Sequence, residues 1–107
     1  MQRDEPVWAI ATFDLPTGTA EQRREAARHR KYLLSLGFSR VQLSVYTRYV
    51  INGSGFSWLA RQVGAAVPPE GVVRVIPVSD REWGRSLCFE GKNLGSPEAP
   101  PEQLALF

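Results

Sequence analysis

Residues 7–13, VWAIATF, form a continuous apolar run that ends in Asp14, and Pro16 follows two positions later. An apolar run of this length without alternation predicts a strand covered on both faces, which is the centre of a sheet. Pro16 keeps Leu15 out of the α region, so the strand ends with Asp14 at its mouth. The sequence therefore places a carboxylate at the tip of a central strand.

The segment after this strand predicts an amphipathic helix. Thr19 followed three residues later by Gln22 is a capping-box pattern, and Gly37 is a suitable residue just past the helix end. Apolar or weakly polar side chains at i, i+3, i+7 and i+10 predict one buried stripe: Ala26, His29, Leu33 and Leu36. We interpret His29 as a packing residue, because a single histidine has no histidine partner for metal binding or acid–base chemistry.

The remaining elements alternate in type. Residues 38–51 are too long for one ordinary strand and predict two strands with a break at residues 42–44. A turn at 52–55, a second amphipathic helix ended by Pro68-Pro69, and a strand at 72–78 with Pro77 at an edge or a bulge follow. A short fifth strand is expected within 85–91, and Asp80 is expected to start a turn, with a role near Asp14 as the alternative.

This order predicts an α+β fold, the ferredoxin-like βαββαβ sandwich with an additional short C-terminal strand. Such a fold leaves one sheet face without helices, and an open apolar face is a natural surface for a homodimer. We expect a ferredoxin-like domain at residues 1–90 and a flexible tail at 91–107, which is rich in Pro and Ala. Trp58 and Trp83 are interpreted as core or interface anchors.

Composition limits the function classes. One cysteine, Cys88, excludes an internal disulfide or a cysteine zinc cluster and is typical of a reducing compartment. The charged N-terminus and the short apolar run after it predict a cytoplasmic protein with no membrane segment. The net charge is +2, so the position of the basic residues matters more than their number.

The first predicted helix carries the basic residues whose spacing suggests a function. Arg24, Arg28 and Lys31 recur at i, i+4 and i+7, opposite the apolar stripe, and could contact nucleic-acid phosphates. An ordinary solvated helix face is the alternative. Arg40, Arg48 and Arg74 lie in predicted strands and could extend the same surface.

Three stretches in this order and spacing resemble one family: FDLP at the end of the first strand, RKYLLSLGFSRVQLSVYTR, and VIPVSDREW. The chain is similar there, over roughly residues 7–90, to the CRISPR-associated endoribonuclease family, the smaller of the two core CRISPR adaptation proteins. The resemblance implies a ferredoxin-like homodimer that holds duplex DNA and bridges copies of the larger adaptation protein, the integrase. It also implies Mg²⁺ near two symmetry-related aspartates, and metal-dependent nuclease activity.

Asp14 would then be the metal ligand and the catalytic carboxylate. Mg²⁺ prefers oxygen ligands and keeps several waters, so two carboxylates with solvent and a substrate phosphate can hold it. A twofold axis would supply the second Asp14. From the residues alone, Asp14 as a hydrogen-bond acceptor in a turn before Pro16 is the alternative.

Three functions therefore stay open. The first is a homodimeric scaffold for spacer acquisition that binds duplex DNA and the integrase. The second is a Mg²⁺-dependent endonuclease acting on RNA or DNA through paired Asp14 residues. The third is a ferredoxin-like RNA-binding or toxin-type ribonuclease module outside CRISPR systems.

The chain ends in QLALF, residues 103–107, on an otherwise polar segment. This matches the Q-L-x-L-F peptide through which bacterial replication and repair proteins bind the sliding clamp. We interpret the four motif positions as partner-docking residues: Gln103, Leu104, Leu106 and Phe107. The partner is the sliding clamp, the integrase, or the chain's own dimer.

Overall fold

The structure, a computed structural model, describes residues 5–91 and 93–95. In chain order its elements are β1 (Val7–Asp14), α1 (Ala20–Ser35), β2 (Ser39–Gln42), β3 (Val45–Val50), α2 (Gly53–Ala65), β4 (Val72–Ser79), α3 (Asp80–Gly84), β5 (Cys88–Glu90) and β6 (Asn93–Gly95). The first four strands form one antiparallel sheet in the order β2-β3-β1-β4, and β5 pairs with β6 in a separate hairpin. The predicted α+β fold, its βαββαβ order and the short fifth strand are confirmed.

β1 is the central strand, as the apolar run predicted. It pairs with β3 on one side and β4 on the other, and seven of its eight residues are buried or half-buried. Alternate side chains of β1 (Val7, Ala9, Ala11 and Phe13) join the core with residues of α1 and α2. The two long helices therefore pack on one face of the sheet, and the other set of β1 side chains lies on the opposite face.

The helix ends follow local sequence signals. Thr19 Oγ1 accepts from the Gln22 backbone N–H at 3.0 Å, and Gln22 Oε1 accepts from the Thr19 N–H at 3.0 Å, which confirms the capping box. The predicted stripe of α1 is buried at Ala26, His29 and Leu33 and packs against the core at Leu36. α2 begins at Gly53, inside the predicted turn at 52–55, because the Asn52 side chain caps it by accepting from the Gly55 N–H at 2.9 Å.

The break predicted at residues 42–44 is confirmed. β2 ends at Gln42 and β3 begins at Val45, with a register shift between Arg40 and Gln42. Pro77 lies in β4, which is an edge strand of the sheet, as a residue without a backbone N–H requires.

Two elements differ from the expectation. Asp80 begins the short helix α3 rather than a simple turn, because the Ser79 hydroxyl accepts from the Glu82 N–H at 3.1 Å and caps it. β6 falls inside the segment that we assigned to the tail. In the described ranges no helix is long and apolar enough to cross a membrane.

The sheet face opposite α1 and α2 is here called the open face. It is formed by Trp8, Ile10, Thr12 and Asp14 of β1, by Val45, Thr47 and Tyr49 of β3, and by Val72, Arg74, Ile76 and Val78 of β4. α3 covers one end, where the Trp8 and Trp83 ring centroids lie 5.8 Å apart. Towards the other end Val72 is 63% exposed and Ile76 37%, so apolar side chains of the open face contact solvent in a single chain.

Candidate metal site and nucleic-acid interface

Asp14 is the last residue of β1, is exposed, and lies on the open face beside Val72 of β4. The backbone on both sides of it is fixed. Before it, the Phe13 N–H donates to the Ser44 carbonyl at 3.2 Å. After it, Leu15 is buried against Gly71, where a Cβ would lie 2.8 Å from Leu15 Cδ2. The carboxylate is therefore displayed from a rigid strand end.

The donor set of one chain fits part of a magnesium site. Among the described residues, no three side chains of His, Cys, Asp or Glu come together as metal ligands. Asp14 supplies one exposed carboxylate, which is the oxygen ligand that Mg²⁺ prefers, and solvent can reach it. A magnesium site would need a second carboxylate facing Asp14, and a partner across the open face could supply it.

Asp80 does not lie near Asp14. It accepts a hydrogen bond of 2.8 Å from Trp8 Nε1, whereas Asp14 lies at the other end of β1. This carboxylate holds the Trp8 indole, which also makes an edge contact with Tyr49 at a centroid distance of 5.4 Å. The alternative role near Asp14 is therefore wrong, and Trp83 acts as a packing anchor at this end of the open face. Trp58, by contrast, is 50% exposed on α2.

Arg24, Arg28 and Lys31 are all exposed on α1, on the side away from the buried stripe. We call these three residues the cation stripe. In the described part of the chain no carboxylate oxygen lies within 4.0 Å of their charged groups. Their charge is therefore available to an external anion.

The two other arginines of α1 have intramolecular roles. Arg23 Nη1 donates to the Thr17 carbonyl at 3.2 Å, and Arg30 lies over the Phe13 ring with its guanidinium carbon 5.8 Å from the ring centroid. Two of the five basic residues of α1 therefore make contacts within the chain, although Arg23 is itself exposed.

The strand arginines do not form one surface. Arg40 pairs with Tyr46 and Arg48 with Ala9, and both of these partners belong to the core, so the two arginines lie on the helix side of the sheet. Arg74 pairs with Thr12 and lies on the open face. The expectation that all three extend the α1 surface is wrong for Arg74, because neighbouring positions of the pleated sheet face opposite sides.

Sequence reasoning missed a groove between α1 and the connection from α2 to β4. It encloses about 250 Å³, and Glu25, Arg28, His29 and Tyr32 supply its helix side. Those residues recur at i, i+3, i+4 and i+7 and therefore share one face of the helix. The sequence analysis assigned His29 only to the apolar stripe and did not identify this face. Pro68 and Pro69, which we had interpreted only as a helix stop, form the other side.

His29 is buried, as expected for a packing residue, with 2% of its surface exposed. Its Nδ1 lies 3.2 Å from the Ala66 carbonyl, whereas its Nε2 is buried and has no hydrogen-bond partner among the described residues. Burial lowers the pKa of His29 below its ordinary value of 6.5, the hydrogen bond to Ala66 opposes this shift, and the positive charge of Arg30 adds to it. The ring is therefore neutral at pH 7.

Comparison with known proteins identifies the family. Residues 7–86 match the family described as CRISPR associated protein Cas2. The chain belongs to the Cas2 family. A CRISPR-associated endoribonuclease Cas2 from Parvibaculum lavamentivorans is 40% identical over 101 residues, which cover 94% of this chain and 100% of that protein. Proteins of the same name from Paracidovorax avenae and Flavobacterium psychrophilum are 34% and 33% identical, again over 94% of this chain, and cover 94% and 88% of those proteins.

Family membership confirms the resemblance and makes this chain a CRISPR adaptation protein of the Cas2 type. It argues against the third alternative, a module outside CRISPR systems. The docking motif at residues 103–107 lies outside the described residues and stays a prediction.

Proposed function

We propose that this Cas2-family chain is a cytoplasmic homodimer that scaffolds the CRISPR adaptation complex, binds duplex DNA and bridges copies of the integrase. The observation that carries the proposal is the cation stripe, Arg24, Arg28 and Lys31, three exposed charges that no described carboxylate neutralises. Lysine and arginine side chains spaced along one helix face can follow a phosphate backbone without reading its sequence. RNA is the alternative ligand, because phosphate contacts alone do not distinguish the two.

The open face supports the dimer. Val72 and Ile76 expose apolar surface there, and burial against a second copy would remove it from water. A face-to-face dimer would also bring the two Asp14 strand ends to the same interface, since Asp14 lies on the open face.

An experiment on the dimer uses a matched pair of variants. We expect Ile76→Asp to convert the protein to a monomer in sedimentation velocity and to weaken duplex binding, because it buries an unpaired charge in the interface. Leu34→Asp, at a side chain of α1 that is 52% exposed, should leave the dimer intact. A wild-type protein that sediments as a monomer at micromolar concentration contradicts the scaffold.

Bridging is tested by stoichiometry. Purified integrase mixed with the wild-type dimer should give a particle containing at least two integrase copies for each dimer in mass photometry. The Ile76→Asp monomer should give no such particle. Equal assemblies from both proteins would mean that the dimer does not bridge.

The second candidate function is a Mg²⁺-dependent endonuclease. It is favoured by the exposed Asp14 carboxylate at the rigid strand end and by the name endoribonuclease given to the relatives. Two such carboxylates would hold Mg²⁺, which would supply positive charge that favours hydroxide over water and neutralises phosphate oxygens. Asp14 itself would contribute its negative charge and orient the metal. Arg74 lies on the open face in the neighbouring strand, two positions from the residue that pairs with Asp14, and could hold the phosphodiester.

Asp14→Asn tests the enzymatic role. It keeps the size of the side chain and removes the charge, so we expect the dimer and duplex binding to persist while Mg²⁺-dependent cleavage of RNA or DNA disappears. Glu21→Gln, at an exposed carboxylate of α1, is the control and should cleave like wild type. If wild-type protein cleaves neither substrate at any Mg²⁺ concentration, the scaffold remains as the only function.

We also propose that residues 103–107 dock on a protein partner. The preferred partner is the integrase or the chain's own dimer, and the sliding clamp is the alternative. Leu104, Leu106 and Phe107 could contribute about 1.5–3 kcal/mol each when buried in a partner's pockets, before ordering costs. A labelled peptide of residues 98–107 titrated with integrase, with this protein and with clamp separates the three. Phe107→Ala should abolish the binding that occurs, and a peptide that binds none of them at high micromolar concentration refutes docking.

A further inference from the structure

The groove between α1 and the α2–β4 connection has apolar walls that are held in place. Tyr32 on α1 lies on one side, and Pro68 and Pro69 lie on the other. The prolines belong to a tight turn in which the Gly71 N–H donates to the Pro68 carbonyl at 3.0 Å. The groove encloses about 250 Å³, which is at the small end for ligand sites. It therefore suits one large apolar side chain rather than a folded segment.

Positive charge adjoins these walls. Arg28 lines the groove and also belongs to the cation stripe, whose charged groups have no carboxylate oxygen within 4.0 Å among the described residues. The whole of α1 carries five basic residues and two acidic ones, Glu21 and Glu25. This surface is therefore net positive, and the ligand that fits it presents carboxylates beside an apolar side chain.

Residues 96–107, which lie outside the described part of the chain, have the complementary chemistry. They contain Glu98 and Glu102 and no lysine, arginine or histidine. Because these two glutamates are the only charged side chains there, the rest of the chain carries a net charge of +4, against +2 for the whole sequence. An apolar run, LALF, follows at residues 104–107. Acidic side chains next to apolar ones match cations next to an apolar groove.

Attachment to the same molecule makes a weak contact sufficient. Leu104 is nine residues beyond Gly95, so it can lie up to about 30 Å away, which is longer than the roughly 24 Å of α1. A tethered segment is present at an effective concentration on the order of millimolar. Exposed ion pairs contribute little by themselves, so an apolar side chain in the groove would supply most of the affinity.

We propose that residues 98–107 of this chain fold back onto α1 and compete with nucleic acid for the cation stripe. One apolar side chain of this segment packs between Tyr32 and the two prolines, and Glu102 pairs with Arg28. The segment then covers part of the surface that we propose for phosphates, so duplex binding requires its release. The inference rests on the proposed function and names the surface on which the C-terminal segment docks.

The first test is duplex binding by full-length variants. Leu104→Ser/Leu106→Ser/Phe107→Ser, here called the released variant, keeps the net charge and removes the apolar groups. We expect it to bind a labelled duplex at least about fivefold more tightly than wild type at low salt, because the covered fraction of molecules no longer lowers the apparent affinity. Ala99→Ser/Ala105→Ser changes the same segment but keeps its large apolar groups, and this control should bind like wild type. Equal affinities of wild type and the released variant overturn the inference.

A double-mutant comparison locates the contact. Tyr32→Ala removes one wall of the groove and should itself tighten duplex binding. Adding the released substitutions should then change the affinity by less than about twofold, since the docked state is already lost. Leu34→Ala, at a side chain of the same helix that is 52% exposed, is the matched background in which the full effect should persist. A full effect in the Tyr32→Ala background would show that the segment docks elsewhere and refutes the groove.

Amide chemical shifts of the ¹⁵N-labelled full-length protein give a measurement that needs no nucleic acid. Wild type and the released variant should differ at residues 28–32 and 66–69. The labelled released variant mixed with unlabelled wild type identifies the source of the segment. Amides of the groove that return to their wild-type positions would show that it comes from a second copy, which overturns docking within one chain.

The two measurements together separate this inference from the proposed function. Differences at the groove amides in a protein that binds no duplex refute the proposed function alone. Duplex binding without differences at the groove amides refutes the inference alone.

Discussion

Replacing the cation stripe by alanine, Arg24→Ala/Arg28→Ala/Lys31→Ala, is the sharpest test of the nucleic-acid interface. The three side chains are exposed and make no ion pair with a carboxylate within the described residues, so their removal breaks no salt bridge there. Alanine also favours helix. We therefore expect the free energy of unfolding to change by about 0.5 kcal/mol or less per site.

The expected effect on DNA binding follows from counterion release. Each phosphate contact contributes about −0.9 to the slope of log K against log salt concentration, so the loss of three contacts flattens the slope by about 2.7 per protomer. When the salt concentration rises from 50 to 200 mM, the affinity of the variant for the duplex should therefore decrease about 40-fold less than that of wild type. A duplex that contacts both protomers of a dimer doubles the change in slope.

The assay is anisotropy of a labelled duplex at several salt concentrations. The matched control removes the same charge elsewhere on the surface, at three exposed arginines outside α1: Arg61, Arg81 and Arg85. The control should keep the wild-type slope. An unchanged slope in the stripe variant, or an equal decrease in the control, would show that the stripe is an ordinary solvated face.

Three further predictions concern stability. Because the pKa of His29 is lowered in the folded chain, the unfolded chain binds this proton first as the pH falls. The contribution of neutral His29 to the free energy of unfolding is therefore complete above pH 6.5. It is lost as the pH falls through the folded pKa. His29→Gln, followed by urea unfolding between pH 5 and 8, should lose that part of the pH dependence. Glu70→Gly should raise the free energy of unfolding by up to about 1 kcal/mol, since glycine adopts φ +67° without strain. Leu33→Ala should lower it by about 2–5 kcal/mol, because Leu33 is fully buried, whereas Leu34→Ala at a half-exposed position should cost well under 1 kcal/mol.

Each of these has a distinct refutation. An identical pH profile in wild type and His29→Gln would mean that the histidine is not held neutral by burial. A lower midpoint in Glu70→Gly would mean that the bond of 3.4 Å from Gln22 Nε2 to Glu70 Oε2 outweighs the backbone strain. Equal losses at Leu33 and Leu34 would contradict the assignment of the core face of α1.

Local signals accounted for most of the fold. The unbroken run of β1, the Thr19/Gln22 capping box and the Pro68-Pro69 stop each act within a few residues, so they can be interpreted without knowing the partners of the segment. The errors arose where two signals competed. Asn52 and Ser79 begin helices because their side chains cap them, although Gly and Asp nearby are also typical of turns.

The sequence alone determined which side chains are available: one carboxylate at a strand end, one histidine on the core stripe, and a spaced set of cations on one helix. Only the tertiary structure decided which of these meet. Strand pairing put Arg74 on the open face with Asp14 and put Arg40 and Arg48 on the other, and it sent Asp80 to Trp8 at the far end of β1. The groove at His29 also required the fold, because Tyr32 and Pro69 are separated by a strand pair and a helix in the chain. Proximity across such distances depends on packing, whereas the chemistry of each side chain depends on its identity alone.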